Sequence, residues 1–253
     1  FSRRIGLDSD GAPQPIDAGV RLSGKMGIAT NVGAMHMQTG DSENGIAGVD
    51  FSLLRLSQEF QNRSSLGVLF VDKSSELSAE DNQTYAIDGR LGLGDEWTLS
   101  GYVAQTDTPG LSGDDEAMRI RADYNVPSLD AYLAYAKVGD NFNPEVGFLR
   151  RKNYEKISTM IWHRKRMNDR WGLFELRPHV FFRGYQDDEG FYESGFLHID
   201  NHWEWTSGFE VHTGLNFIRE GVQEPFEIVE GTFVPVGEYD HKESQIVVMS
   251  NPR

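Results

Sequence analysis

Thr84-Tyr85-Ala86-Ile87-Asp88-Gly89-Arg90-Leu91-Gly92-Leu93, then Gly94-Asp95-Glu96, then Trp97-Thr98-Leu99-Ser100-Gly101-Tyr102-Val103-Ala104-Gln105-Thr106 is the stretch that decides the fold. In its first run Tyr85, Ile87, Leu91 and Leu93 alternate with Thr84, Asp88 and Arg90; in its second, Trp97, Leu99 and Val103 alternate with Thr98, Ser100 and Tyr102. A period of two sends successive side chains to opposite faces of a strand. Two such runs across a short Gly-containing connector read as a β-hairpin.

The same alternation runs outward along the chain. Ala18, Val20, Leu22 and Met26 oppose Arg21, Ser23 and Lys25, and Phe209, Val211, Leu215 and Phe217 oppose Glu210, His212 and Asn216. Weaker versions occupy 29–38, 50–60, 64–73, 116–125, 129–138, 156–165, 173–185, 191–201, 226–234 and 243–249. That gives about fourteen strands, many near the ten residues a membrane-spanning strand needs and longer than the five or six usual in soluble sheets. Connectors such as Asn62-Arg63-Ser64 are short, whereas Ser74 to Asn82 and Gln105 to Glu116 are long and polar. This is the habit of barrels with short turns at one end and long loops at the other. Pro13, Pro15, Pro109, Pro127 and Pro252 fall in connectors, but Pro178 lies inside a strand and implies a bulge, a strand end or an edge.

Composition narrows the functional classes. The formal net charge of -15 argues against nucleic acid as a partner, since phosphate binding relies on Lys and Arg. There is no cysteine, hence no disulfide or thiolate metal site. No run approaches the ~18 apolar residues of a spanning helix, which leaves a β-barrel open. Phe1-Ser2-Arg3-Arg4-Ile5-Gly6-Leu7 has no long apolar segment of a secretory signal, so the chain is expected to be mature or internal to a longer product. No linker divides it, and 1–253 is expected to be one barrel domain, incomplete at both ends.

The polar face carries Arg21, Lys25, Asp88, Arg90, Arg119, Arg121, Glu175, Arg177, Glu210 and His212. A soluble sandwich would turn these to solvent and a membrane barrel to a water-filled lumen; strand length, strand number and hairpin rhythm favour the barrel. Trp97, Tyr154, Trp162, Trp171, Trp203 and Trp205 lie near connectors, where barrels place aromatic girdles and where cross-strand packing also places aromatics.

Three stretches resemble the DUF5916 family: Phe1–Leu7 with 16–25, Val138-Gly139-Asp140-Asn141-Phe142-Asn143-Pro144-Glu145-Val146-Gly147-Phe148-Leu149-Arg150-Arg151, and Pro225-Phe226-Glu227-Ile228 through Val236-Gly237-Glu238-Tyr239. The resemblance implies an outer-membrane barrel of Gram-negative bacteria that usually follows a module similar to family 9 carbohydrate-binding modules. It implies no catalytic residues.

The expected fold is therefore all-β, an antiparallel transmembrane β-barrel or a large fragment of one, in the bacterial outer membrane. The expected function is a porin-like channel or surface-binding protein linked to saccharide binding or uptake. A scaffold or anchor subunit and a polysaccharide-acting hydrolase stand as alternatives, with an enzyme the less favoured. Expected partners are outer-membrane lipid and lipopolysaccharide, saccharides, and other outer-membrane or periplasmic subunits. Candidate lumen or ligand residues are Arg21, Lys25, Asp88, Arg90, Arg119, Arg121, Arg150, Arg151, Glu210 and His212.

Stretch 140–151 reads as turn chemistry around Pro144 and Gly147, either a structural turn with its arginines paired or an inward-folded loop narrowing the lumen. Asp8-Ser9-Asp10-Gly11 has the start of a calcium loop without its closing Glu, and reads as a polar turn. Asp114-Asp115-Glu116 and Asp187-Asp188-Glu189 read as solvated loops or divalent-ion bridges to lipopolysaccharide phosphates. The seven histidines show no helical metal spacing: His198 and His202 are four apart but not on a helix. No metal, cofactor or catalytic residue is expected.

Overall fold

A computed structural model of the protein describes residues 5–8, 11–43, 45–75 and 81–250. Ser9 and Asp10 of the calcium-like stretch, and 76–80 of one long connector, lie outside them. In chain order the strands are β1 (Ile16–Met26), β2 (Thr30–Thr39), β3 (Val49–Glu59), β4 (Ser65–Ser75), β5 (Asn82–Leu93), β6 (Trp97–Asp107), β7 (Glu116–Val126), β8 (Leu129–Val138), β9 (Tyr154–His163), β10 (Lys165–Arg166), β11 (Leu173–Gln186), β12 (Tyr192–Trp205), β13 (Glu210–Val222), β14 (Phe226–Val229), β15 (Thr232–Val234) and β16 (Gly237–Met249). One 3-10 turn, Arg170–Gly172, precedes β11.

Fourteen strands form one antiparallel sheet in the order β1-β2-β3-β4-β5-β6-β7-β8-β9-β11-β12-β13-β16, with β10 attached to β11. Among the described residues no ladder joins β16 to β1. Residues 226–234, expected as one more strand of this sheet, instead fold back on themselves as the separate β14–β15 hairpin, with Gly231 at φ 80° in its turn. Between β3 and β4, Asn62 and Arg63 both adopt left-handed φ (60° and 59°), as hairpin turns that match strand twist require.

The chain clusters into two compact units: 1–94 with 99–120 and 137–153, and 95–98 with 121–136 and 154–253. In the first, pairing sorts side chains as the alternation demands. Leu22, Ala34, Leu54, Phe70 and Tyr85 lie side by side across β1–β5, and on the opposite face so do Lys25, Asn31, Ser57, Gly67 and Asp88. The apolar face is open: Leu22 is 65% exposed. Among the described residues nine hydrophobic residues are buried while 42 large ones are exposed, so the apolar faces are not folded against a conventional core.

What core the first unit has sits on its polar face. Val49, Phe51 and Val71 pack with Val146 of segment 139–153, beside Ile5, Met37, Leu53 and Leu69. Asn82 pins that segment: its Nδ2 donates to Thr108 Oγ1 (2.7 Å) and to Asn143 O (2.8 Å). Asn143 N–H donates to Thr106 Oγ1 (3.0 Å), and Lys73 pairs with Glu145 at 2.6 Å. The turn residues read in the sequence therefore fold the segment onto the polar face of β3–β6.

In the second unit β11 is ladder-bonded to β9 on one side and β12 on the other. Pro178 falls where the β9 ladder has stopped at His179–Trp162 and the short β10 ladder begins at Lys165–Leu176. Its missing N–H therefore breaks no ladder there, so a strand interior tolerates it.

Candidate functional site

The polar face of β11–β12–β13 collects most of the chain's histidines. A strand places residues i, i+2 and i+4 on one face, and β12 reads His198, Asp200, His202, Glu204 on this one. Register supplies the rest: His179 of β11 lies opposite Asp200, Arg177 opposite His202, and on β13 His212 lies opposite His202 and Glu210 opposite Glu204. From β9, Trp162 lies opposite His179 and stacks on it with ring centroids 3.9 Å apart; its indole N–H finds no acceptor in the protein among the described residues.

Asp200, 5% exposed, is the hub. Its Oδ1 accepts the Thr213 N–H at 3.0 Å, while its Oδ2 stands 3.6 Å from His198 Nε2 and 3.8 Å from His202 Nε2. His179 Nδ1 lies 3.0 Å from Arg177 O, which as a carbonyl only accepts, so Nδ1 carries the proton and Nε2 of the neutral ring offers its lone pair. His198 Nδ1 bonds Asn216 Oδ1 at 2.6 Å, and Asn216 Nδ2 donates to Glu243. His202 and His212 stack face to face at 3.5 Å.

A second group occupies the same face. Arg177 Nη2 contacts Glu210 at 2.9 Å and Glu204 at 3.4 Å, and Glu210 also accepts from His212 Nε2 at 3.0 Å. Glu175, buried, pairs with Arg166 at 3.0 Å.

The candidates read from the sequence are spread over the sheet, and only Glu210 and His212 enter this cluster. Lys25 pairs with Glu59 at 3.0 Å. Asp88 is gripped by Arg55 at 2.5 Å, whose guanidinium crosses Gly67, where a Cβ would meet it at 2.4 Å. Arg121 pairs with Asp123 at 2.6 Å and lies over the Tyr132 ring at 3.8 Å. Arg119 and Arg121 alternate with the exposed Met118 and Ile120, and Arg21 and Arg90 are exposed neighbours of Leu22 and Leu91. Arg150 and Arg151 are exposed in the segment 139–153 that packs on β3–β6. Trp162 faces the histidines, stacking on His179 and meeting His202 edge-on.

Sequence reasoning tested the histidines against helical spacing and so passed over His179, His198, Asp200 and His202. The available signal was His-x-Asp-x-His at 198–202, which a strand turns into one face. No family model matches the chain, and no curated protein shows significant similarity to it.

Proposed function

We propose that the sheet is the wall of a bacterial outer-membrane barrel, apolar face to lipid and polar face to water, and that the protein provides passage or binding for polar solutes, saccharides among them. The carrying observation is an exposed apolar face on strands that run 10 to 14 residues along most of the sheet. A soluble sheet covers such a face with a second layer; among the described residues no α-helix and no second large sheet is present to cover it. In hydrocarbon an unpaired strand edge is costly, so the reading requires β1 and β16 each to have a strand partner in the membrane. The stretches resembling the DUF5916 family imply the same location. Charged rows such as Lys25–Glu59 and Arg55–Asp88 would set the preference among permeating solutes.

Sequence-adjacent pairs test this. Arg21 and Leu22 are both exposed, as are Arg90 and Leu91, so water alone would not distinguish them. The chain has no cysteine, so single cysteines can be placed at each of the four. In reconstituted vesicles a charged maleimide is expected to label Arg21→Cys and Arg90→Cys but not Leu22→Cys and Leu91→Cys. Equal labelling of all four would overturn the reading.

A further inference from the structure

We propose that His179, Asp200 and His202 form a binding site for a divalent transition-metal ion of the zinc class. Donor atoms from the three residues lie within 4.8 Å of one another. Four ligands around zinc at about 2.0–2.1 Å stand roughly 3.4 Å apart, so small side-chain rotations close the set. Two imidazoles and a carboxylate suit zinc, nickel or copper, whereas calcium and magnesium take oxygen ligands.

Three further features point the same way. First, the outer partners of two ligands are in place: Arg177 O holds the Nδ1 of His179, and the Thr213 N–H holds the Oδ1 of Asp200. Each bond leaves the ligating atom free and oriented, the role of outer hydrogen bonds around metals. Second, room is reserved. Gly214 lies opposite Asp200, and a Cβ there would stand 3.1 Å from Oδ2 and 3.4 Å from His198 Cε1. Third, Glu175, Asp200, Glu204 and Glu210 outnumber Arg166 and Arg177 by two, so with neutral imidazoles the cluster has a negative excess that a divalent ion offsets.

His202, Glu210 and His212 form a second possible set. Its carboxylate is already engaged by Arg177 at 2.9 Å and by His212 at 3.0 Å, so binding there would break an ion pair. The Asp200 set breaks none, and His198 Nε2, 3.6 Å from Asp200 Oδ2, is the neighbouring donor for a fourth position. The inference stands apart from the membrane reading, because these side chains share a polar face in either medium.

The test is calorimetric titration of Zn2+ into chelator-stripped protein folded in detergent, with Mg2+ as the comparison ion. One saturable equivalent is expected, not displaced by Mg2+. His179→Ala, Asp200→Asn and His202→Ala should each weaken it at least about tenfold. Gly214→Ala, which keeps every ligand, should weaken it as well. His212→Ala, which removes the ring stacked on His202, should weaken it less than His179→Ala does, and His36→Ala on β2, outside the cluster, should change it less than about threefold. The β signal in circular dichroism checks that each variant is folded. Absence of saturable binding, or affinity unchanged in folded His202→Ala and Asp200→Asn proteins, overturns the site. Loss on His212→Ala with retention in His179→Ala overturns the ligand assignment.

Discussion

Leu215→Arg separates a lipid-facing wall from a sheet in water more sharply than any loss-of-contact change. Leu215 is the sixth of thirteen residues in β13, 49% exposed, and lies between Ile199 of β12 and Ser244 of β16. In water an arginine at a half-exposed strand position changes stability within about 0.5 kcal/mol. Mid-strand in a bilayer the same change costs about 2–4 kcal/mol, roughly a 30- to 700-fold shift in the folding equilibrium. The comparison is Gln245→Arg on exposed β16, opposite Gly214 and so on the polar face, expected to stay within about 0.5 kcal/mol. Both are measured by reversible denaturant unfolding in phospholipid vesicles. If Leu215→Arg costs no more than Gln245→Arg, the apolar face does not meet lipid and the reasoning fails.

Gly139→Ala should destabilise by at least about 2 kcal/mol in denaturant unfolding, because its Cβ would stand 1.9 Å from Asp114 O. Gly24→Ala, with nothing within 4 Å of the added Cβ, should be neutral or stabilising by about 0.5 kcal/mol in the same assay. Asn82→Ala removes the donors to Thr108 and Asn143 and should cost about 1–3 kcal/mol; limited proteolysis should then cut 139–153 faster than in the unaltered protein. Arg55→Met and Asp88→Asn act on one partly exposed ion pair, so each should cost about 1 kcal/mol and the double variant less than the sum, read from a double-mutant cycle.

Strand placement was legible because alternation is a local signal: β1, β5, β6 and β13 begin and end within a few residues of the runs that mark them. Partner choice followed from the hairpin rhythm. The exceptions had causes outside the pattern. Phe226 to Val234 alternates well enough to read as one strand, but Gly231 at φ 80° turns it back on itself. Pro178 reads in the sequence as a bulge, a strand end or an edge; it occupies a gap between two ladders that only the positions of β9 and β10 reveal. Segment 140–151 announced a turn through Asn, Asp and Pro, but its docking on the sheet depends on Asn82 and Lys73, far away in sequence.

The histidine cluster was hidden for a different reason. His179, Asp200 and His212 come from three strands, and their meeting is decided by two registers that no local pattern displays. Those registers are held by the other face. Val180, Ile199, Leu215 and Ile246 share the apolar side of the same strands, next to the histidine row. Because side chains alternate with period two, a slip of one residue would set apolar side chains of the slipped strand among the imidazoles and its charges on the apolar side. The apolar face thus fixes the chemistry of the polar one: whatever medium covers Leu215 also holds Asp200 among three imidazoles. A one-residue insertion in the β11–β12 turn that shifted this register would therefore be expected to abolish zinc binding and folding together, whereas Asp200→Asn should weaken only the first.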